Sequence, residues 1–117
     1  MKTINYLCAF LMLVFLGIST MQAKNALVII AHGAPDAQWN SPVLNLEKNV
    51  NNVIISRGIK GIDCVRVALM EFSRPTVSEV IDDCERQQID HIFIIPLFIT
   101  ESSHSEEDIP NILGLKY

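Results

Sequence analysis

The chain is poor in basic residues, and this shortage restricts the partners it can have. It contains 9 lysines and arginines against 13 aspartates and glutamates, which gives a formal net charge of −4. A protein that binds nucleic acid needs basic side chains to neutralise phosphates, and they normally cluster on one face. No basic cluster occurs along this sequence. We therefore predict no nucleic-acid partner.

Long apolar runs are also missing. The longest, from Tyr6 to Ile18, has 13 residues, whereas a membrane-spanning helix needs about 20. The run follows the positive start at Met1–Lys2 and precedes the small residue Ala23, a pattern typical of a secretory signal peptide. We predict a signal peptide over 1–23 and a mature domain over 24–117. The mature domain would be periplasmic or secreted, with no stable membrane span after cleavage.

Cysteine is scarce, and removal of the signal peptide leaves Cys64 and Cys84. An even number of cysteines in an exported chain permits a disulfide. However, Cys64 begins a predicted strand, and Cys84 lies on the apolar stripe of a predicted helix, where cysteine behaves as a small hydrophobic residue. Two buried thiols are therefore favoured over a disulfide, and no neighbouring base indicates a nucleophile.

Two enzyme classes are excluded by motifs that the chain lacks. An α/β-hydrolase requires a Gly-x-Ser-x-Gly nucleophile elbow, and this pattern does not occur. A phosphoryl-transfer enzyme of the histidine type would have an arginine before its first histidine, but Ala31 precedes His32. The chain also has no internal repeat, low-complexity tract or linker.

What the sequence does contain is an alternation of apolar strands and amphipathic helices. Strand-like runs cover residues 27–31, 62–70 and 91–95. This βαβαβα order predicts an α/β fold, a three-layer sandwich with a parallel sheet built from flavodoxin-like βαβ units. A sheet of three strands is thin and has an uncovered edge. Two explanations stay open: a second copy completes it as a homodimer, or the C-terminus is truncated from a longer protein.

Helix-start signals separate the strands. Ser41–Pro42 predicts an N-cap followed by proline at the first helical position, and Gly58 is a suitable C-terminal cap. Pro75 opens a second helix, in which Thr76 and Glu79 have capping-box spacing. A third helix is predicted to begin at 105–108, where acidic residues suit the helix dipole.

Two histidines and a glutamate follow the predicted strands at their carboxyl ends. His32 follows the first strand, Glu71 the second, and His104 comes a few polar residues after the third. Ligands of open parallel sheets bind outside these strand ends, so we expect the three side chains at one rim. Imidazole and carboxylate suit a divalent transition metal and also accept protons. No local spacing rule fixes this geometry, and hydrogen-bonded loop residues are the alternative interpretation.

Three sequence blocks carry a family resemblance. The first is 28–33, which ends in His32–Gly33. The second is 68–75, which contains Glu71 and opens a helix. The third runs from 95 to 99 and continues to His104 and the Asp-Ile-Pro of 108–110. In this order and spacing the blocks resemble the class II tetrapyrrole chelatases, the sirohydrochlorin cobaltochelatases and ferrochelatases, over nearly the whole mature chain.

The resemblance implies a function for the rim residues. A divalent metal, Co²⁺ or Fe²⁺ and also Ni²⁺, would be the substrate inserted into a sirohydrochlorin-like tetrapyrrole, with no organic cofactor. His32, Glu71 and His104 would be both the catalytic residues and the metal ligands, because insertion displaces two pyrrole protons that nearby bases must accept.

The chain departs from the family pattern after the first histidine. Ala34 and Pro35 stand where family members commonly have serine and arginine. An exported metal-binding or tetrapyrrole-binding protein without catalytic activity is therefore the alternative function. Trp39 and Arg74 could contact a flat or carboxylated substrate, with loop packing and a surface role as their alternatives. His91, at the start of the third strand, is interpreted as structural.

Overall fold

The computed structural model describes residues 21–98 and 108–115. In chain order its elements are β1 (Asn25–Ala31), α1 (Ala37–Leu44), α2 (Leu46–Ser56), β2 (Cys64–Leu69), α3 (Val77–Arg86), β3 (His91–Leu97) and α4 (Ile109–Ile112). No helix within these residues is long and apolar enough to cross a membrane. The predicted signal peptide, apart from its last three residues, lies outside the described part and stays a prediction.

The strands form one parallel sheet in the order β2-β1-β3, which confirms the predicted α/β fold. β1 is the central strand: Ala26, Val28 and Ile30 are fully buried on one of its faces, and Ile29 and Ala31 are buried on the other. This burial on both faces explains why β1 is a continuous apolar run rather than an alternating one.

Helices cover both faces of the sheet and give the three expected layers. On one face, α3 and α4 pack Val77, Val80, Cys84 and Ile109 against the even-numbered residues of β1. On the other, α1 and α2 bring Val43, Leu46, Val50 and Ile54 against Ile29, Val65 and Val67. Each layer is therefore held by burial of apolar surface against the sheet.

β3 is covered on one face and uncovered on the other. Ile92 and Ile94 pack toward α3, whereas Phe93, Ile95 and Leu97 remain 44–51% exposed on the α1–α2 side. The N–H of His91 donates to the carbonyl of Lys24, the residue before β1. Because the backbone groups of a strand point alternately to its two sides, the backbone N at position 96 points away from β1, to the free edge. Pro96 lacks an N–H there, as is usual for proline in an edge strand. The expected uncovered edge is therefore β3, and a homodimer that covers it stays a prediction.

The first helix begins earlier than predicted. The Ser41–Pro42 start is wrong: α1 starts at Ala37, and Pro42 lies inside it. Asp36 provides the cap instead, because its carboxylate accepts a hydrogen bond from Gln38 N at 2.9 Å. The helical segment is then interrupted at Asn45 before α2 begins. The Gly58 cap is confirmed by its positive φ of 61°.

The other boundaries agree closely with the sequence prediction. Thr76 and Glu79 form the predicted capping box at the start of α3, with bonds of 3.3 and 2.8 Å. β2 is shorter than the predicted 62–70; just before it, Asp63 N donates to Asn25 O, and the Asp63 carboxylate accepts a bond from Asn25 N. Of the predicted start of the third helix, 105–107 lie outside the described residues. Asp108 precedes the four-residue α4.

Cys64 and Cys84 are both free thiols, as favoured over a disulfide, but of the two only Cys84 is buried and Cys64 is half-buried. Cys84 is 2% exposed among the apolar residues under α3, and Cys64 packs against the same cluster. Burial, followed by the neighbouring Cys64, raises the pKa of the Cys84 thiol. A raised pKa keeps the sulfur protonated and unreactive, as expected of a thiol with a packing role.

Side chains close the outer edge of β2. Glu47 on α2 accepts a hydrogen bond from Val67 N at 3.1 Å, and Arg66 donates to Val65 O at 3.1 Å. Arg66 also pairs with Glu47 and with Asp83 on α3. The two helix layers are thus joined around this edge, whereas no such cover appears on β3 among the described residues.

The Arg66–Asp83 pair makes a pH-dependent contribution to stability. Desolvation works to raise the pKa of Asp83, but hydrogen bonds from Arg66 and Arg86 outweigh it and lower that pKa. A carboxyl whose pKa is lower in the folded chain stabilises it above the unfolded-state pKa, about 3.9, and loses this effect as the pH falls through the folded value.

We therefore expect Asp83→Asn to reduce the free energy of unfolding at pH 7 and to have progressively less effect as the pH falls below about 4. Urea unfolding at several pH values measures this. Asp82→Asn is the control, because Asp82 is the exposed neighbour on the same helix. An Asp83→Asn effect that stays constant down to pH 2.5 would contradict the assignment.

Candidate metal centre

His32 and Glu71 lie side by side at the rim formed by the carboxyl ends of β1 and β2. Ala31, the last residue of β1, is in register with Leu69 of β2. The pairing continues beyond the strands, because Met70 N donates to Ala31 O at 3.0 Å and Glu71 N to His32 O at 2.9 Å. Two residues far apart in sequence are thus placed together by the ladder of adjacent parallel strands, as predicted.

The imidazole and the carboxylate face each other. His32 Nε2 lies 3.9 Å from Glu71 Oε2, and the two side chains are 43% and 49% exposed. His32 Nδ1 lies 3.1 Å from the Gly33 carbonyl, which can only accept a hydrogen bond. The proton of a neutral imidazole therefore belongs on Nδ1, and Nε2 presents its lone pair toward the carboxylate.

This spacing suits a shared cation. A distance of 3.9 Å is too long for a hydrogen bond between the two groups. Two ligand atoms that each lie about 2.1 Å from one metal ion are about 3.4 Å apart at the tetrahedral angle and at most about 4.2 Å apart, so at 3.9 Å both Nε2 and Oε2 can reach one divalent metal only at a wide angle. The orientation of Nδ1 toward a carbonyl is also the usual support for a histidine that binds metal through Nε2.

Gly33 makes the approach of the two loops possible. Its φ is +89°, and a Cβ at this position would lie 2.3 Å from the Glu71 carbonyl oxygen. That distance is far below van der Waals contact, and the obstacle is backbone rather than a flexible side chain. Any larger residue would push the loop after β1 away from the loop after β2, and His32 would separate from Glu71.

A buried asparagine holds the loop after His32. Asn40 on α1 is 3% exposed, and its side chain bonds both the N–H and the carbonyl of Ala34, at 2.9 and 2.8 Å. The paired bonds satisfy the buried amide and fix the loop against α1. Sequence reasoning missed this residue, since a lone asparagine inside a helix gives no pattern that distinguishes a buried clamp from a solvent-exposed side chain.

The third predicted ligand, His104, lies outside the described residues, and its role stays a prediction. Within the described residues, no group of three or more histidine, cysteine, aspartate or glutamate side chains is arranged around one point. The structure therefore brings together two of the three predicted site residues. β3 ends beside β1 at the same rim, with Leu97 in register with Ala31, so His104 follows a strand that points to this site.

The secondary candidates occupy different positions. Trp39 is 74% exposed in the first turn of α1, so it is not packed beneath the loop. Arg74 is largely exposed and forms an ion pair with Glu79 at the start of α3. His91 is in register with Asn25 at the amino ends of the strands, on the side of the sheet opposite the rim, which agrees with its structural interpretation.

Phe72 is a site residue that the sequence analysis did not single out. Its ring centroid lies 6.0 Å from that of His32, it is 62% exposed, and its φ is +65°. Nothing in the sequence marks a phenylalanine for this backbone conformation, which glycine or asparagine adopts more readily.

Cavities elsewhere are not part of this centre. A groove of about 510 Å³ follows the outer edge of β2, between Glu47, Asp63 and Pro75. A second, of about 600 Å³, lies beside Arg74 and Arg86 on α3. His32 and Glu71 line neither of these two grooves, and their side chains are 43% and 49% exposed at the rim.

The contact at Gly33 gives a test of the site's assembly. Gly33→Ala should lower the free energy of unfolding by about 1–3 kcal/mol more than Gly61→Ala does. Both glycines have a φ of +89°, but Gly61 has nothing within 4 Å of an added Cβ. Urea unfolding of the two variants therefore separates steric overlap from backbone strain. Equal losses would show that Glu71 O does not lie against Gly33.

The sequence is similar to a family model and to several known proteins. The family model described as CbiX matches residues 26–116. A sirohydrochlorin cobaltochelatase of Methanocaldococcus jannaschii is 31% identical over 90 residues, which are 77% of this chain and 59% of that protein. The sirohydrochlorin cobaltochelatase of Methanococcus aeolicus is 30% identical over the same shares of each chain. The chain thus spans about three-fifths of the length of these curated relatives.

Solved structures share the fold. The CbiX protein from Marinobacter aquaeolei superposes with a TM-score of 0.52 at 20% identity, covering 77% of this chain and 68% of that one. SirB from Bacillus subtilis, solved with Fe³⁺, gives a TM-score of 0.58 at 22% identity, over 79% of this chain and 34% of SirB. At these identities the likeness confirms the α/β fold.

Proposed function

Because the chain belongs to the CbiX family, we propose that it inserts a divalent metal ion into a sirohydrochlorin-type tetrapyrrole at His32 and Glu71. The membership agrees with the resemblance carried by the three sequence blocks. The observation that supports the proposal for this chain is the 3.9 Å separation of His32 Nε2 and Glu71 Oε2 at the open rim.

The chemistry of insertion calls for this pair of groups. A metal ion entering the macrocycle displaces two pyrrole N–H protons, so bases must stand beside the path of the metal. The Nε2 lone pair of His32 can first hold the ion, and the Glu71 carboxylate can share it and then accept a proton as the ion is transferred. Both side chains are partly exposed, which gives a flat substrate direct access to the ion.

An open rim also suits a site that releases its metal. Structural metal sites are closed by four protein ligands, whereas a site that must give up its ion leaves coordination positions free. Two protein ligands from the described residues leave such positions for the incoming pyrrole nitrogens. We propose cobalt as the metal, because relatives are named cobaltochelatases. Iron is the second choice, in view of the Fe³⁺ in SirB, and imidazole also accepts Ni²⁺.

His104 is proposed as a further ligand that also accepts a proton. It comes six positions after Phe98, just beyond the end of β3, and an extended chain of six residues reaches about 20 Å. Leu97 and Ala31 are register partners, so His104 is connected to the same rim within that reach.

The proposed setting is outside the cytoplasm, after removal of 1–23. The chain's acidic balance requires that a carboxylated substrate be bound by contacts other than a broad basic surface. Ala34 N and O are both engaged by Asn40, and the neighbouring Pro35 has no N–H, so this loop offers no side-chain cation and few free donors. This feature favours the second candidate, a carrier that binds metal or tetrapyrrole without turnover.

We expect His32→Ala to slow insertion of Co²⁺ into sirohydrochlorin by about 100-fold or more, because a metal ligand that is also a base is lost. Glu71→Gln should slow it by about 10-fold or more, since the amide keeps the shape but cannot accept a proton. The rate is followed from the absorbance change of the macrocycle over that of metal and substrate without protein.

His91→Ala is the matched control and should keep the wild-type rate, because His91 lies at the amino end of β3, away from the rim. His104→Ala tests the further ligand in the same assay. Wild-type chain that binds Co²⁺ without accelerating insertion would support the carrier instead. Full rates in both His32→Ala and Glu71→Gln would refute the site.

A further inference from the structure

Phe72 occupies a strained turn directly after Glu71. Its φ is +65°, and Ser73 N donates to Glu71 O at 2.8 Å across it, which makes Phe72 the middle residue of a three-residue turn. Three-residue turns with a positive central φ are rare and strained, and a bulky side chain makes the conformation less favourable still.

The ring gains little from folding to offset this strain. Phe72 is 62% exposed, so most of its apolar surface remains in water. Glycine or asparagine at this position would relieve the backbone and remove an exposed aromatic side chain. Backbone strain that is kept at the surface beside reactive groups points to a functional use of the residue.

The position of the ring indicates what that use is. The Phe72 and His32 rings have centroids 6.0 Å apart and an interplanar angle of 44°. Glu71 and Phe72 are consecutive, so one turn presents both a carboxylate and an aromatic ring to the same imidazole. Gly33 leaves room for Glu71 O, and Glu71 N donates to His32 O at 2.9 Å, so this turn lies against the loop after β1.

We propose that Phe72 is the surface on which the tetrapyrrole macrocycle stacks, so that its face is held against His32 and Glu71. This inference rests on the proposed function and identifies a substrate-contact residue for it. A large conjugated ring binds aromatic faces through dispersion and quadrupole contacts that do not depend on charge. Such contacts matter here because an acidic chain would otherwise repel a carboxylated macrocycle.

The test uses Trp39, the one tryptophan in the chain, and we expect metal-free sirohydrochlorin to quench its fluorescence on binding. Phe72→Leu keeps apolar bulk without an aromatic face, and we expect it to weaken macrocycle binding about fivefold. Phe72→Tyr should restore the wild-type affinity. Phe72→Asn should bind as weakly as Phe72→Leu while remaining folded, since asparagine tolerates a positive φ.

Two controls separate stacking from other roles. Phe93→Leu alters an exposed phenylalanine on β3 that is in register with Leu27, five residues before His32. This variant should bind the macrocycle like the wild type. Calorimetric titration with Co²⁺ alone should give the same metal affinity for wild type, Phe72→Leu and Phe72→Tyr. A parallel loss of metal affinity in Phe72→Leu would overturn the proposal, because the ring would then only position His32.

The outcomes also distinguish this inference from the proposed function. Wild-type chain that fails to bind sirohydrochlorin would overturn both. Wild-type chain that binds it, with Phe72→Leu binding equally well, would overturn stacking and leave metal insertion at His32 and Glu71 standing.

Discussion

The candidate site depends on one close backbone contact, between Gly33 and the carbonyl of Glu71. Parallel pairing of β1 and β2 brings the two following loops to the same rim, but pairing alone leaves them as separate loops. The missing Cβ of Gly33 lets the Glu71 carbonyl occupy the space beside it. His32 and Glu71 then face each other, and the turn that carries Phe72 is fixed beside them. The proposed metal ligand, base and aromatic surface therefore share one structural cause.

Side chains cover the β2 edge of the sheet, whereas the β3 edge is more exposed in the described residues. This difference is consistent with the position of the site. The β2 edge is closed by Glu47 and Arg66, which satisfy backbone groups and join the helix layers. Among the described residues, Pro96 alone interrupts the β3 edge, and Phe93, Ile95 and Leu97 remain partly exposed there. The rim between β1 and β2 is thus supported by a closed edge, while β3, which leads toward His104, lies on the open side.

The sequence predicted the strands, the parallel sheet and the meeting of His32 with Glu71, because these follow from apolar periodicity and from the geometry of parallel strands. It did not predict the start of α1, since the Ser-Pro signal at 41–42 competes with an aspartate cap five residues earlier. The Asn40 clamp and the strained turn at Phe72 were also missed. Both depend on contacts between loops, and a single sequence carries no local signal for such contacts.

The central claim is that His32 and Glu71 bind one metal ion together. A crystal structure of the chain with Co²⁺, with anomalous scattering recorded at the cobalt edge, tests it most directly. We expect a cobalt peak about 2.0–2.2 Å from both His32 Nε2 and Glu71 Oε2. Cobalt bound elsewhere, or at the rim without contact to either side chain, would contradict it.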